Sequence, residues 1–231
     1  MKAALITFPG SNRERDMRLA LTKANNGKPP IDVWHGDADL PPGIDLIVLP
    51  GGFSYGDYLR CGAMAAHSPI MREVKKRADQ GVRVLAVCNG FQIACEAGLL
   101  PGTLITNASL KFICKEVNLR VETTASDFTR KYRKGQTIRV PVAHHDGNYT
   151  ADEDTLKKLE DQDRIAFRYA DALGNVAPET NLNGSVRNIA GVYNEKKTVL
   201  GLMPHPEDAT DPLCGGTDGM GLFESIAESL A

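Results

Sequence analysis

Three short runs of this chain are almost unbroken in apolar residues: Lys2–Phe8, Leu46–Leu49 and Val82–Val87. A strand with one wet face alternates apolar and polar residues, whereas a strand covered on both faces does not. These runs predict parallel strands sandwiched between helices, with Ile31–Trp34 as a further strand. Helical patterns lie between them. Asp16–Ala24 follows the first run. Pro69–Gln80 carries Ile70, Val74 and Ala78 at fourfold spacing and stops at Gly81. Phe91–Ala97 follows Val82–Val87 and stops at Gly98. Strand–helix alternation of this kind implies right-handed crossovers and a doubly wound α/β sheet.

The middle of the chain changes character. Val117–Thr123, Thr137–Val142 and Ile165–Tyr169 alternate apolar and polar, which suits half-buried strands at an antiparallel edge or in a small side sheet. A helix over Asp152–Asp161 lies among them. Ile189–Asn194 and Val199–Met203 return to apolar strand, and Gly221–Leu230 closes the chain as a helix. No repeat, low-complexity tract or linker interrupts this order. Residues 1–231 read as one mixed, mainly parallel α/β domain, with ligand chemistry expected at the carboxyl ends of the parallel strands.

A formal net charge of -2 is too balanced for a nucleic-acid or anionic-membrane partner, which leaves a basic excess or patch. The apolar run Ala3–Phe8 is too short for a signal segment or a membrane span, and nothing later approaches eighteen apolar residues. A cytoplasmic location with reduced cysteines is expected. None of the five cysteines forms a CxxC pair or a zinc-like cluster with histidine, so no metal site is expected.

One cysteine has a special setting. In Val84-Leu85-Ala86-Val87-Cys88-Asn89-Gly90-Phe91-Gln92 a buried strand runs straight into a helix, with Cys88 at the corner. A strand-to-helix elbow exposes its central side chain and tolerates only small residues two before and two after it. Ala86 and Gly90 meet that demand. A thiol at a helix N-terminus faces the positive end of the dipole, which favours the thiolate. The Asn89 N–H points the same way. A packed thiol at a strand end is the competing reading. Cys95 reads as core-facing, and Cys61, Cys114 and Cys214 lack the elbow.

A base for such a nucleophile stands at Met203-Pro204-His205-Pro206-Glu207. In extended chain His205 and Glu207 point the same way, and the flanking prolines stiffen the segment. His205 would take the thiol proton while Glu207 orients the imidazole. A lone His-x-Glu is common by chance; its force lies in the combination with the elbow. His144-His145-Asp146 reads equally as an active-site or partner-facing loop and as a solvated turn. Pro50-Gly51-Gly52-Phe53 follows a buried strand, and its glycines let N–H groups approach a ligand. Such a donor aimed at an oxyanion contributes roughly 3 kcal/mol. Asp57 and Arg60 follow, where they would face a polar substrate or a partner. No GxGxxG or GxxxxGK[ST] motif is present, so the chain is not expected to bind a catalytic nucleotide itself.

Together, Pro50-Gly51-Gly52, Cys88-Asn89-Gly90-Phe91-Gln92 and His205-Pro206-Glu207 resemble the class I (triad) glutamine amidotransferases. Phe8-Pro9-Gly10-Ser11-Asn12, Phe53-Ser54-Tyr55-Gly56-Asp57, Asn183-Gly184-Ser185 and Ile189-Ala190-Gly191 narrow the likeness to the glutaminase subunits of phosphoribosylformylglycinamidine synthases. The resemblance implies a flavodoxin-like fold. It implies attack of Cys88 on the glutamine side-chain amide, a γ-glutamyl thioester, and Gln92 in contact with the bound glutamine. It also implies release of ammonia to a larger synthetase subunit that uses ATP and Mg2+ in purine synthesis, bridged by a small adaptor subunit. No cofactor is expected in this chain. A glutaminase for another ammonia-using synthase, a cysteine hydrolase or chaperone-like relative on the same sheet, and a silent regulatory subunit of the same fold are the rival readings.

Overall fold

The computed structural model describes residues 1–231. In chain order the elements are β1 (Ala3–Thr7), α1 (Glu14–Ala24), β2 (Ile31–Trp34), β3 (Leu46–Leu49), α2 (Ala63–Ala66), α3 (Pro69–Asp79), β4 (Arg83–Val87) and α4 (Asn89–Glu96). Then follow β5 (Thr103–Ile105), β6 (Ile113–Val121), β7 (Thr137–His144), β8 (Asn148–Thr150), α5 (Glu153–Asp161), β9 (Ile165–Ala170), β10 (Ile189–Tyr193), β11 (Val199–Leu202) and α6 (Met220–Ser229).

The apolar runs are the centre of a nine-stranded sheet ordered β2-β1-β3-β4-β11-β10-β9-β6-β7. The first five of these strands run parallel. Every residue of β3 and β11 is buried, as continuous apolar strands covered on both faces should be. The connection β1–α1–β2 steps one way across the sheet and β3–α3–β4 steps the other. With right-handed crossovers, α1 and α3 therefore lie on opposite faces. Pro69 opens α3, and Ile70, Val74 and Ala78 turn inward at the predicted spacing. Helix α1 starts at Glu14, two residues earlier than the sequence pattern, because Arg13 O accepts the Met17 N–H at 3.0 Å. Glu14 and Asp16 in that first turn suit the dipole.

The alternating segments do not form a separate sheet. β10, β9, β6 and β7 extend the main sheet as an antiparallel half. The small antiparallel sheet comes instead from β5 and β8, two three-residue segments with no readable periodicity. β9 is buried throughout, although Arg168 interrupts its apolar run. Its guanidinium is satisfied inside, donating to Glu160 at 2.6 Å and to Arg187 O. No helix is long and apolar enough to cross a membrane.

Candidate active site

Cys88 sits where β4 ends and α4 begins. Its φ of 51° and ψ of -108° are unusual for a residue with a side chain and cost about 1–3 kcal/mol. The surroundings impose them. Cys88 N–H donates to Leu202 O on β11 at 2.8 Å, and its carbonyl accepts the Phe91 and Gln92 N–H groups. The turn lies hard against β3, where a Cβ on Gly90 would stand 2.0 Å from Leu49 O. This is the elbow that the small residues Ala86 and Gly90 predict. The sulfur faces the edge of β7, 3.7 Å from Ala143 O. Burial pushes the Cys61 and Cys95 thiols up, which leaves both protonated and unreactive.

His205 follows β11 and is buried with Glu207. Its backbone N–H donates to Pro141 O at 2.8 Å, and its Nδ1 lies 2.7 Å from Glu207 Oε1. Nδ1–H donates to the carboxylate, so Nε2 is the nitrogen left free; it has no partner within the chain. Burial by itself disfavours a charged imidazole. The Glu207 carboxylate, with Cys88 adding to it, outweighs that penalty and the His205 pKa is raised to about 10. A proton taken up here is held until an acceptor of comparable basicity arrives.

The Cys88 thiol and the His205 imidazole converge. A Cβ built on Gly51 would stand 2.9 Å from His205 Cε1 and 3.5 Å from Cys88 Cβ, so both side chains flank one point. They share a cavity of about 370 Å3 with Asn12, Arg13, Gly52 and Phe53. A larger cavity of about 620 Å3 lies beyond Arg13 and Asp208 and reaches Glu207. Its only cysteine, Cys214, is exposed and lacks a histidine, so the smaller cavity is the candidate site.

The glycine loop has a backbone that only glycine can adopt. Gly52 has φ 145°, and a Cβ there would stand 2.6 Å from Ser11 Cα, so no other residue fits. An isolated bridge between Ser11 and Gly52 pins the loop. Phe53 N–H is spent on Gly10 O at 2.9 Å, whereas the Gly52 and Asn89 N–H groups donate to nothing inside the chain. Those two are the donors left for a developing negative oxygen.

The remaining candidates occupy a supporting layer. Asn89 Oδ1 accepts the Ser54 N–H at 3.1 Å, and its Nδ2 donates to Gln92 Oε1 at 2.8 Å. Gln92 Nε2 donates to Asp146 O at 2.7 Å. Both ends of the Gln92 amide are thus engaged within the chain, and Gln92 is not among the residues lining the cavity. Its visible work is to hold the His144–Gly147 loop against α4. Arg60 turns outward to Glu96 at 2.7 Å. Arg13, paired with Asp208, and the wall Pro141–Ala143 were not readable from the sequence. Only the long-range topology brings them to Cys88.

Comparison with known proteins agrees with this geometry. A family model described as a CobB/CobQ-like glutamine amidotransferase domain matches residues 1–215. Phosphoribosylformylglycinamidine synthase subunit PurQ of Rhodospirillum rubrum is 58% identical, with all of both chains covered. The subunit of the same name from Rhodopseudomonas palustris is 57% identical over all of this chain and 99% of the relative. The PurLQS structure from Thermotoga maritima superposes with a TM-score of 0.87 at 43% identity, covering 100% of this chain and 99% of that one. With a family model over most of its length and relatives of this similarity, the chain belongs to the CobB/CobQ-like glutamine amidotransferases and, among them, to the PurQ subunits of phosphoribosylformylglycinamidine synthase.

Proposed function

We propose that this chain hydrolyses glutamine to glutamate and ammonia with Cys88, His205 and Glu207, and delivers the ammonia to a synthetase subunit that makes formylglycinamidine ribonucleotide. The observation that carries the reading is the elbow cysteine opening into one cavity with an imidazole held 2.7 Å from a buried carboxylate. Cys88 sulfur attacks the amide carbon, and the Asn89 and Gly52 N–H groups take the oxyanion. The C–N bond breaks as His205 Nε2–H protonates the leaving nitrogen, giving ammonia and a γ-glutamyl thioester. His205 then takes a proton from water, which attacks the thioester and frees glutamate and the thiol. A catalytically silent relative has no use for this buried, correctly ordered set.

The name PurLQS joins two further components to a Q component. That supports a larger synthetase and a small adaptor as partners, with ATP and Mg2+ handled by the synthetase and neither cofactor nor metal held by this chain. A partner is also chemically sensible, because free ammonia is mostly ammonium at neutral pH and a poor nucleophile. The complex would work in the cytoplasm. One core of 58 buried residues from Ala3 to Ile226 supports treating residues 1–231 as one domain.

The test is Cys88→Ala in the complex co-purified with its synthetase. Glutamine-dependent synthesis should vanish and synthesis from added ammonia should persist. Equal loss of both would refute the division of labour. A glutamine-analogue electrophile should label Cys88 alone, with glutamine protecting it.

A further inference from the structure

A backbone N–H can serve an oxyanion only if it is held in one direction. Gly52 belongs to no strand or helix, so its direction depends on how the loop around it is tied down. Gly51–Tyr55 lies antiparallel to Pro9–Asn12. Asn12 N–H donates to Gly51 O at 3.4 Å, Phe53 N–H to Gly10 O at 2.9 Å and Tyr55 N–H to Pro9 O at 2.6 Å. Tyr55 makes the last of these rungs. Beyond it the chain turns away through Tyr55, Gly56 and Asp57, with φ of 54°, 69° and 55°. A short ladder opens from its end, so the loop is as firm as Tyr55.

The backbone does not favour Tyr55 in that place. Its φ of 54° and ψ of 26° put it in the left-handed region, which residues with a side chain rarely adopt. The side chain supplies the hold. Tyr55 Oη lies 2.8 Å from His35 Nδ1 and 3.1 Å from Ser68 Oγ. The two rings meet edge to face, with centroids 5.6 Å apart. Both partners are fixed. His35 N–H donates to Thr7 O at 3.0 Å, and His35 O accepts the Ile70 N–H at 3.2 Å. Ser68 is buried just before α3. The phenol is thus gripped between the end of β2 and the start of α3.

We propose that Tyr55 is a positioning residue for the oxyanion: its hydroxyl, held by His35 and Ser68, pins the end of the glycine loop and so fixes the direction of the Gly52 N–H. The proposal rests on the glutaminase reading above. Tyr55 is not among the residues lining the Cys88 cavity, so it acts through the backbone and touches no substrate.

Two substitutions test this. Tyr55→Phe keeps the ring against His35 and removes only the hydroxyl. Ser68→Ala removes one of the partners of that hydroxyl and spares α3, which the Ser68 side chain does not cap. The full-length variants, in complex with the co-purified synthetase, are assayed for glutamine hydrolysis and for alkylation of Cys88 by iodoacetamide, read on the Cys88 peptide. Hydrolysis builds an oxyanion and alkylation does not. Y55F should lower kcat for glutamine by roughly 10–100-fold while KM and the alkylation rate stay within about twofold. S68A should lose less with the same selectivity, and adding it to Y55F should cost nothing further, because both act through one hydroxyl. If Y55F does not fold, S68A alone decides. Unchanged kcat in the folded variants would overturn the proposal. So would a fall in kcat matched by an equal fall in alkylation, which would make Tyr55 a general support of the site. An unaltered chain whose Cys88 is alkylated but which does not hydrolyse glutamine would instead bring down the glutaminase reading, and this one with it.

Discussion

At the scale of single residues the site depends on small distances. Gly51 has an ordinary backbone, yet a methyl group there would stand 2.9 Å from His205 Cε1. Gly51→Ala should therefore fold and still lose roughly 100-fold in kcat by displacing the imidazole. Unchanged kcat with a clean melting curve would show that the imidazole tolerates the shift. Glu207→Gln removes the charge that holds His205 in place and should lower kcat by roughly 10²–10⁴-fold, read as slower labelling of Cys88 by the electrophile. The local geometry at these positions was legible because it demands particular types: a cysteine flanked by small residues at the elbow, glycines where the loop presses on a neighbouring backbone, a His-x-Glu in stiff extended chain. Arg13, Asn12 and Pro141–Ala143 carry no such local demand. Gln92 was legible as part of a motif, but its amide is spent on Asn89 and Asp146, which spacing alone does not reveal.

Among the elements, the elbow is the junction on which the rest turns. Gly90 lets the first turn of α4 lie against the end of β3, and Gly90→Ala would drive a methyl group into Leu49 O. The turn or β3 must shift, and stability should fall by roughly 1–3 kcal/mol. Urea unfolding should show this as a lower midpoint at unchanged slope. The parallel half was readable because strands buried on both faces have no choice of residue: β3 and β4 are nearly all Leu, Ile, Val and Ala. The antiparallel half was harder. β6 begins at Ile113, four residues before its alternation becomes visible, because its first residues pair with β7 beyond the core. β5, β8 and α2 are too short for any period to register. In β9, Arg168 looked like an outward position, yet Glu160 and Arg187 O satisfy it inside.

Across the whole molecule the two halves meet at the site. β7 is the far edge strand, with β10, β9 and β6 between it and β11, yet His205, just after β11, donates its N–H to Pro141 O on β7. The antiparallel half must curl over the carboxyl ends of the parallel strands, which closes the cavity around Cys88. Each half then contributes one buried histidine to the same region, and the two pull stability in opposite directions with pH. His144 has its pKa lowered from 6.5 to about 4. Between those values the unfolded chain binds a proton that the folded chain refuses, so stability is present above pH 6.5 and is lost as pH falls towards 4. His205 has its pKa raised from 6.5 to about 10. Between those values the folded chain holds a proton that the unfolded chain releases, so stability is present below pH 6.5 and is lost as pH rises towards 10. Unfolding free energy plotted against pH should therefore peak near 6.5 and decline on both sides. Replacing His144 by Gln should flatten the acid limb alone, and replacing His205 by Gln the alkaline limb alone. An acid limb identical in wild type and H144Q would mean that the carboxylates, rather than this histidine, govern acid unfolding.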